Sequence, residues 1–107
     1  MNFPEHYDQA KVKTLANIYF EGRVVSHSVW DAEGRRLTLG VMLPGTYSFT
    51  TADPELMEVT AGALKARIKG QDEWDTYQAG QSFRVPANTT FEAVVESAPA
   101  QYICTFG

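Results

Sequence analysis

The chain has 107 residues, of which 44% are hydrophobic and 21% are charged, and its formal net charge is −4 at pH 7. This length and balance predict one globular domain and exclude a disordered chain, which needs lower hydrophobicity or a larger net charge. The sequence pI of about 5.0 argues against nucleic acid and membranes as partners, because both attract basic surfaces.

The amino-terminal residues contain no apolar run, so the sequence predicts neither a signal peptide nor a membrane span. We interpret residues 1–14 as an N-terminal arm of a single domain that covers residues 1–107. Cys104 is the only cysteine, and one cysteine cannot form an internal disulfide or a thiolate metal site. Together these features predict a cytoplasmic protein.

Beyond the arm, short segments rich in Val, Thr, Tyr, Phe and Ile alternate with turn signals. The main turn signals are Glu21-Gly22, Glu33-Gly34, Pro44-Gly45, Lys69-Gly70, Ala79-Gly80 and Pro86-Ala87-Asn88. Such spacing is typical of a β-sandwich or a closed barrel. The chain shows no convincing long helix. Residues 53–58, with Pro54 at the first helical position, predict a helical turn, and residues 3–12 predict a loose arm or a single turn.

Several of these segments alternate with a period of two, which indicates strands that turn one face inward. We expect Leu37, Leu39, Val41 and Leu43 to share the inner face of one strand, with Gly40 on the opposite side. The corresponding inner residues of two later strands are Leu64, Ala66 and Ile68, and then Tyr102, Cys104 and Phe106.

Two stretches, residues 44–62 and 80–91, resemble the two sequence motifs of cupins. Glu55 and Gly62 keep the spacing of the first motif, and Pro86 keeps the corner of the second. The positions of the three metal-binding histidines fall on Phe49, Thr51 and Phe91. A phenyl ring supplies no nitrogen to a metal. We therefore predict an all-β, single-domain cupin-type β-barrel (a double-stranded β-helix or jelly roll) without a metal ion.

The replaced positions also change the chemistry expected of the barrel mouth. Phe49 and Phe91 would provide aromatic walls near Thr51 and Glu55, and such a mixture is typical of small-molecule pockets. A planar ligand such as a nucleobase would fit between the two rings, because every base has a face that stacks. Plain core packing is the alternative interpretation of both rings.

Nearly the whole chain resembles one family of small cupins, the pyrimidine/purine nucleoside phosphorylases, formerly grouped as a domain of unknown function. The matching segments are residues 16–24, 38–45, 47–51, 55–59, 83–88 and 102–104. The resemblance implies a glycosyltransferase of the pentosyltransferase type. Such an enzyme splits purine and pyrimidine nucleosides with inorganic phosphate, giving a free base and a pentose 1-phosphate. It implies broad specificity, phosphate as a co-substrate and no cofactor.

Phosphorolysis needs groups that hold a phosphate dianion, stabilise a cationic ribosyl transition state and ease the departure of the base. We assign catalysis to Glu55 and Thr51, because a carboxylate stabilises positive charge at the anomeric carbon. Phosphate binding is assigned to Arg36 and Thr50, since phosphate recruits guanidinium and hydroxyl donors. Substrate binding is assigned to Tyr47, Phe49, Phe91 and Tyr102.

Each assignment has a structural alternative, and so does the function as a whole. Arg36 would otherwise be a solvated turn residue, and Glu55 an acidic residue in the first turn of a helix. A non-catalytic module could use the same cavity for a sugar, base or nucleoside. A metal-dependent isomerase or oxygenase would require the missing histidines. We also expect a homodimer, because a small barrel leaves exposed sheet edges.

Overall fold

The computed structural model describes residues 3–107, and within this range the chain forms eleven β-strands and one short 3-10 turn. The strands are β1 (Lys11–Val12), β2 (Asn17–Tyr19), β3 (Val24–Trp30), β4 (Arg36–Met42), β5 (Gly45–Thr50), β6 (Glu55–Ala61), β7 (Ala63–Ile68), β8 (Asp75–Gln78), β9 (Ser82–Val85), β10 (Thr90–Val95) and β11 (Ala100–Phe106). The 3-10 turn, Phe20–Gly22, lies between β2 and β3. The predicted all-β class is confirmed. Residues 3–107 include no helix with the length and apolar character that crossing a bilayer needs.

The strands form two antiparallel sheets that pack face to face. The seven-stranded sheet has the order β1-β3-β4-β11-β6-β9, with β2 also paired to β3, and the four-stranded sheet has the order β5-β10-β7-β8. Alternate residues of each strand point between the sheets, where burial of apolar surface stabilises the fold. The buried core consists of Val24, Met42, Tyr47, Met57, Val59, Leu64, Ala66, Ala93, Val95, Ala100, Tyr102 and Cys104.

The predicted N-terminal arm covers part of the outer face of the seven-stranded sheet. In a second, smaller cluster, Phe3, Tyr7 and Ala10 pack against Val29, Leu37 and Ile103. The arm then adds β1 to the edge of the sheet, where Lys11 pairs with Trp30. The part of the prediction that concerns residues 1 and 2 lies outside the described residues.

The helical turn predicted for residues 53–58 is wrong, because β6 begins at Glu55. This strand has partners on both sides: Glu55 pairs with Phe106 of β11 and with Val85 of β9. Two ladders of hydrogen bonds outweigh the weak local preference that Pro54 suggests. The Pro54 carbonyl instead accepts a hydrogen bond from the backbone N–H of Gly107 at 2.9 Å.

The inner face predicted for β4 is also wrong. Leu39, Val41 and Leu43 are 39%, 38% and 42% exposed, and only Leu37 is buried, beneath the arm. The face turned into the molecule consists of Thr38, Gly40 and Met42. The alternation was correct, but the more apolar side of this strand faces outward. For the two other strands the prediction holds in the main: Leu64, Ala66, Tyr102 and Cys104 are buried, while Ile68 and Phe106 at the strand ends are half-buried.

Gly40 explains why β4 takes this orientation. The ring of Tyr102 lies directly over it, and a Cβ atom at this position would come within 2.3 Å of Tyr102 Cζ. The two residues are paired across β4 and β11. The absent side chain at Gly40 therefore gives an aromatic ring room to lie flat across the inner face of the sheet.

Candidate active site

A cavity of about 620 Å³ opens between the two sheets. One side, which we call the polar wall, consists of side chains from the seven-stranded sheet: Ser26, Arg36, Thr38, Glu55, Tyr102 and Cys104. The other, the aromatic wall, consists of Phe49 and Phe91 from the four-stranded sheet and Phe20 from the 3-10 turn. An apolar surface facing a few convergent polar groups is the usual composition of a small-molecule site.

The aromatic wall is continuous. Phe49 and Phe91 pair directly across β5 and β10, and their ring centroids lie 5.4 Å apart with an interplanar angle of 27°. The ring of Phe20 meets Phe49 edge-on at 5.5 Å. Because Phe49 and Phe91 stack on each other, no base can lie between them, which corrects the expected sandwich. A base can instead stack on the face of one ring that is turned away from the other.

Glu55 lies half-buried at the start of β6, and its carboxylate turns towards β11. The Cys104 thiol donates a hydrogen bond to Glu55 Oε1, with Sγ and Oε1 3.4 Å apart. Burial raises the pKa of Glu55, while the bond from Cys104 and the charge of Arg36 partly lower it. Burial, followed by the charge of Glu55, raises the pKa of Cys104. Cys104 is therefore a neutral hydrogen-bond donor and not a thiolate nucleophile.

Arg36 provides the positive charge of the polar wall. It is the first residue of β4, and its guanidinium carbon lies 4.4 Å from the ring centroid of Phe106. Within residues 3–107, its guanidinium forms no ion pair within 4.0 Å of a carboxylate. Stacked on an aromatic face, the guanidinium is held in place while its donors stay available to an anion.

A row of hydroxyl and amide groups extends from the polar wall to the side of the cavity. Asn17 Nδ2 donates to Ser26 Oγ at 3.2 Å and to Ser28 Oγ at 3.1 Å. Tyr102 is buried beside Ser26, and this burial raises the pKa of its phenol, so the hydroxyl stays protonated at neutral pH. Hydroxyl and amide groups in a row are suited to the hydroxyls of a sugar.

Six of the eight predicted site residues line this cavity: Arg36, Phe49, Thr50, Glu55, Phe91 and Tyr102. Tyr47 and Thr51 do not. Tyr47 is buried behind the aromatic wall and donates its hydroxyl to the Leu43 carbonyl at 2.5 Å. The Thr51 hydroxyl donates to the Pro86 carbonyl at 2.6 Å and accepts from the Thr89 N–H at 3.1 Å. Both side chains hold loops together.

The polar and aromatic cavity residues that sequence reasoning did not assign to the site include Asn17, Phe20, Ser26, Thr38 and Cys104. Asn17, Phe20, Thr38 and Cys104 fall within segments that match the family, which was the one available signal, and Ser26 falls outside them. Ser26, Thr38 and Cys104 become site residues through strand pairing. Cys104 opposes Thr38, and Ser26 opposes Gly40 beneath Tyr102. No local pattern shows which distant strands pair.

The donor set does not fit a divalent metal at the usual cupin position. Phe49 and Phe91 supply no ligand atom, and the hydroxyl of Thr51 is already bonded to backbone groups. Within the described part of the chain, no group of three His, Cys, Asp or Glu side chains could hold a metal ion.

Comparison with solved structures identifies the fold. A crystal structure of a protein of unknown function from Acinetobacter matches with a TM-score of 0.90 at 35% identity, covering 95% of this chain and 98% of that one. HppE with iron(II) and an alternative substrate matches with a TM-score of 0.72 at 13% identity, covering 98% of this chain and 60% of that one. That likeness concerns the fold alone, and it confirms the predicted cupin type.

Comparison with sequence relatives identifies the family. A protein of Aromatoleum aromaticum named pyrimidine/purine nucleoside phosphorylase is 46% identical over 107 residues, 100% of both chains. A protein of the same name from Thiobacillus denitrificans is 48% identical over 101 residues, 94% of this chain and 97% of its own. The model of that family matches residues 14–106. With the match extending over both walls of the cavity, the chain belongs to the pyrimidine/purine nucleoside phosphorylase family.

Proposed function

We propose that this protein is a pentosyltransferase that splits both purine and pyrimidine nucleosides with inorganic phosphate, releasing the base and forming a pentose 1-phosphate. The observation that carries the proposal is the division of one cavity into an aromatic wall and a polar wall. The polar wall carries a carboxylate and a guanidinium, on Glu55 and Arg36. A nucleoside has the matching division, with a flat base at one end and a polyhydroxylated sugar at the other.

In this arrangement the base stacks on the aromatic wall at Phe49, and the sugar lies towards Tyr102, Ser26 and Asn17. Stacking makes few demands on the edge groups of a base, since every base presents a π-face. A site that holds the base mainly through its faces therefore accepts both purines and pyrimidines, which supports broad specificity.

The reaction replaces one bond at the anomeric carbon. A phosphate oxygen, held by Arg36 and Thr50, forms a bond to that carbon while the bond to the base nitrogen breaks. The bonding electron pair leaves with the base, which then takes up a proton from phosphate or water. Glu55 faces the positive charge that develops on the ribosyl group and stabilises it. No metal or organic cofactor takes part in these steps.

Incubation of the purified protein with inosine or uridine, with and without inorganic phosphate, tests this function. We expect base release that depends on phosphate, together with one equivalent of pentose 1-phosphate per base. Binding of nucleoside without base release would contradict the proposal and would identify a binding module. Base release without phosphate would instead indicate a hydrolase.

We further propose that the enzyme is a cytoplasmic homodimer. The outer face of β4 leaves Leu39, Val41 and Leu43 partly exposed, and contiguous exposed apolar side chains favour association. Cys104 is buried and forms no disulfide, which is compatible with a reducing compartment. Light scattering should give about twice the chain mass of 11.9 kDa, and the mass of one chain at working concentration would contradict the dimer.

A further inference from the structure

The segment Asn17–Gly22, which we call the strap, bridges the two sheets at the side of the cavity. At its beginning, Asn17 is hydrogen-bonded to Ser26 and Ser28 of the seven-stranded sheet. Towards its end, the ring of Phe20 packs against the four-stranded sheet, with centroids 5.0 Å from Tyr47 and 5.5 Å from Phe49. The strap therefore closes the side of the cavity between β3 and β5 through side-chain contacts.

The backbone of the strap is strained where it presents Phe20. Phe20, Glu21 and Gly22 have φ angles of 52°, 57° and 91° in succession. Glycine adopts such angles freely, but a bulky aromatic residue rarely does. Strained residues persist where the surrounding structure holds them, and they concentrate at ligand sites. In this turn the strained residue Phe20 is also the one whose aromatic ring lines the cavity.

The outer residues of the strap are apolar and incompletely covered. Ile18, Tyr19 and Phe20 are 67%, 47% and 40% exposed, and all three line the cavity. Phe20 also stands at an interplanar angle of 88° to Phe49. A base stacked on Phe49 would consequently meet Phe20 at its edge. The two rings form a corner, and the position of Phe20 limits how far a bicyclic base can extend.

From this corner we propose that Phe20 is a specificity-determining residue that sets the preference between purine and pyrimidine nucleosides. The inference rests on the proposed function. A pyrimidine fills the corner and keeps its edge contact with Phe20. A purine, with its second ring, reaches the side wall sooner and requires the strap to yield.

The test is the ratio of kcat/KM for inosine to kcat/KM for uridine in Phe20→Ala and Phe20→Trp. We expect Phe20→Ala to raise this ratio at least roughly fivefold, because it opens the corner to the larger base. Phe20→Trp should lower it. The KM for phosphate should stay unchanged in both. A ratio compares two substrates on one preparation, so a loss of folded protein cannot produce the expected shift.

Leu15→Ala is the matched control, because Leu15 is 75% exposed and does not line the cavity. This variant should keep the wild-type ratio. Equal changes for both nucleosides in the Phe20 variants would overturn the inference while leaving the proposed function intact.

Calorimetric binding of inosine and uridine without phosphate separates failure of the proposed function from failure of the inference about Phe20. If the wild-type protein binds nucleosides but releases no base, the proposed function fails. In that case the ratio of the dissociation constants for inosine and uridine still tests Phe20. The preference that this ratio gives should differ between the wild-type protein and the Phe20 variants in the same direction. If neither nucleoside binds, both the function and the inference are wrong.

Discussion

The two walls of the cavity are built in different ways. The pair at the centre of the aromatic wall comes from adjacent strands, where direct pairing of Phe49 with Phe91 is enough to stack the rings. The polar wall draws on β3, β4, β6 and β11, and its carboxylate is held by a thiol from another strand. A surface for stacking needs only shape, whereas a charge-stabilising site needs several groups from distant parts of the chain in fixed positions.

The difference between the two walls predicts that the polar wall controls the rate of the reaction and the aromatic wall controls substrate choice. Glu55→Gln removes the negative charge but keeps the size of the side chain. We expect kcat to fall at least about 100-fold, as for other groups that stabilise charge in a transition state. Nucleoside affinity should change little. Steady-state kinetics combined with calorimetric binding measure both quantities.

The matched control for this variant is Glu58→Gln on the same strand, because Glu58 does not line the cavity. It should keep full activity. Retention of activity within a few-fold in Glu55→Gln would remove Glu55 from the mechanism.

Arg36→Ala tests the cationic part of the polar wall. Loss of a guanidinium that contacts a dianion costs about 1.5–3 kcal/mol. We therefore expect the KM for phosphate to rise roughly tenfold or more, with the KM for nucleoside little changed. Arg35→Ala is the adjacent control, since Arg35 is paired with Asp31 and Glu33 and lies outside the cavity. An unchanged phosphate KM in Arg36→Ala would place phosphate elsewhere.

The pH dependence of kcat reports how the thiol and the carboxylate are coupled. Glu55 must be ionised to act, and burial raises its pKa, so the acid limb should lie above the ordinary glutamate pKa of 4.5. The hydrogen bond from Cys104 lowers this pKa. Cys104→Ala should therefore move the acid limb to higher pH, while Cys104→Ser, which keeps a donor, should move it less. An acid limb that is identical in all three proteins would contradict the coupling.

The raised pKa of Glu55 also affects the stability of the fold. A carboxyl group whose pKa is raised by folding favours the folded state when protonated, and that contribution is lost as the pH rises through its folded pKa. Wild-type protein should consequently lose stability relative to Glu55→Gln as the pH rises above the ordinary glutamate pKa of 4.5. Urea unfolding across this rise in pH measures the difference.

The smallest effect on activity is expected behind the aromatic wall. Thr51→Val removes a hydroxyl that accepts from the Thr89 N–H and donates to the Pro86 carbonyl. Leaving buried groups without a partner costs about 1–3 kcal/mol of the free energy of unfolding, but kcat and both KM values should be unchanged. The neighbouring variant Thr50→Val should instead raise the phosphate KM and cost less stability, because the hydrogen bond that it removes, between Thr50 Oγ1 and Thr90 Oγ1 at 2.8 Å, is exposed to water. Activity lost in Thr51→Val without loss of stability would restore Thr51 to the reaction.

The two walls also differ in how far they could be predicted from the sequence. Phe49 and Phe91 could be predicted because they occupy motif positions at fixed spacing. Arg36, Glu55 and Tyr102 could be named one by one, but not the contacts among them. The bond from Cys104 to Glu55 depends on how β11 and β6 pair, and a local pattern carries no information about that register.

The fold was predictable as a class and not in two of its details. Pro54 suggested a helical turn at β6, where pairing with two neighbouring strands decides the conformation. In β4 the alternation gave the two faces correctly, but apolar content alone does not distinguish a core from an exposed outer surface. The contact between Gly40 and Tyr102, which depends on the pairing of β4 with β11, explains which face is inside.

That contact also determines how deep the cavity is. The ring of Tyr102 forms part of the cavity floor, and it can lie there because Gly40 contributes no side chain beneath it. The depth of the site is therefore adjustable at a single position. A smaller residue in place of Tyr102 would enlarge the cavity beside Gly40 and Met42, which makes the Gly40–Tyr102 pair the natural starting point for changing the size of the site.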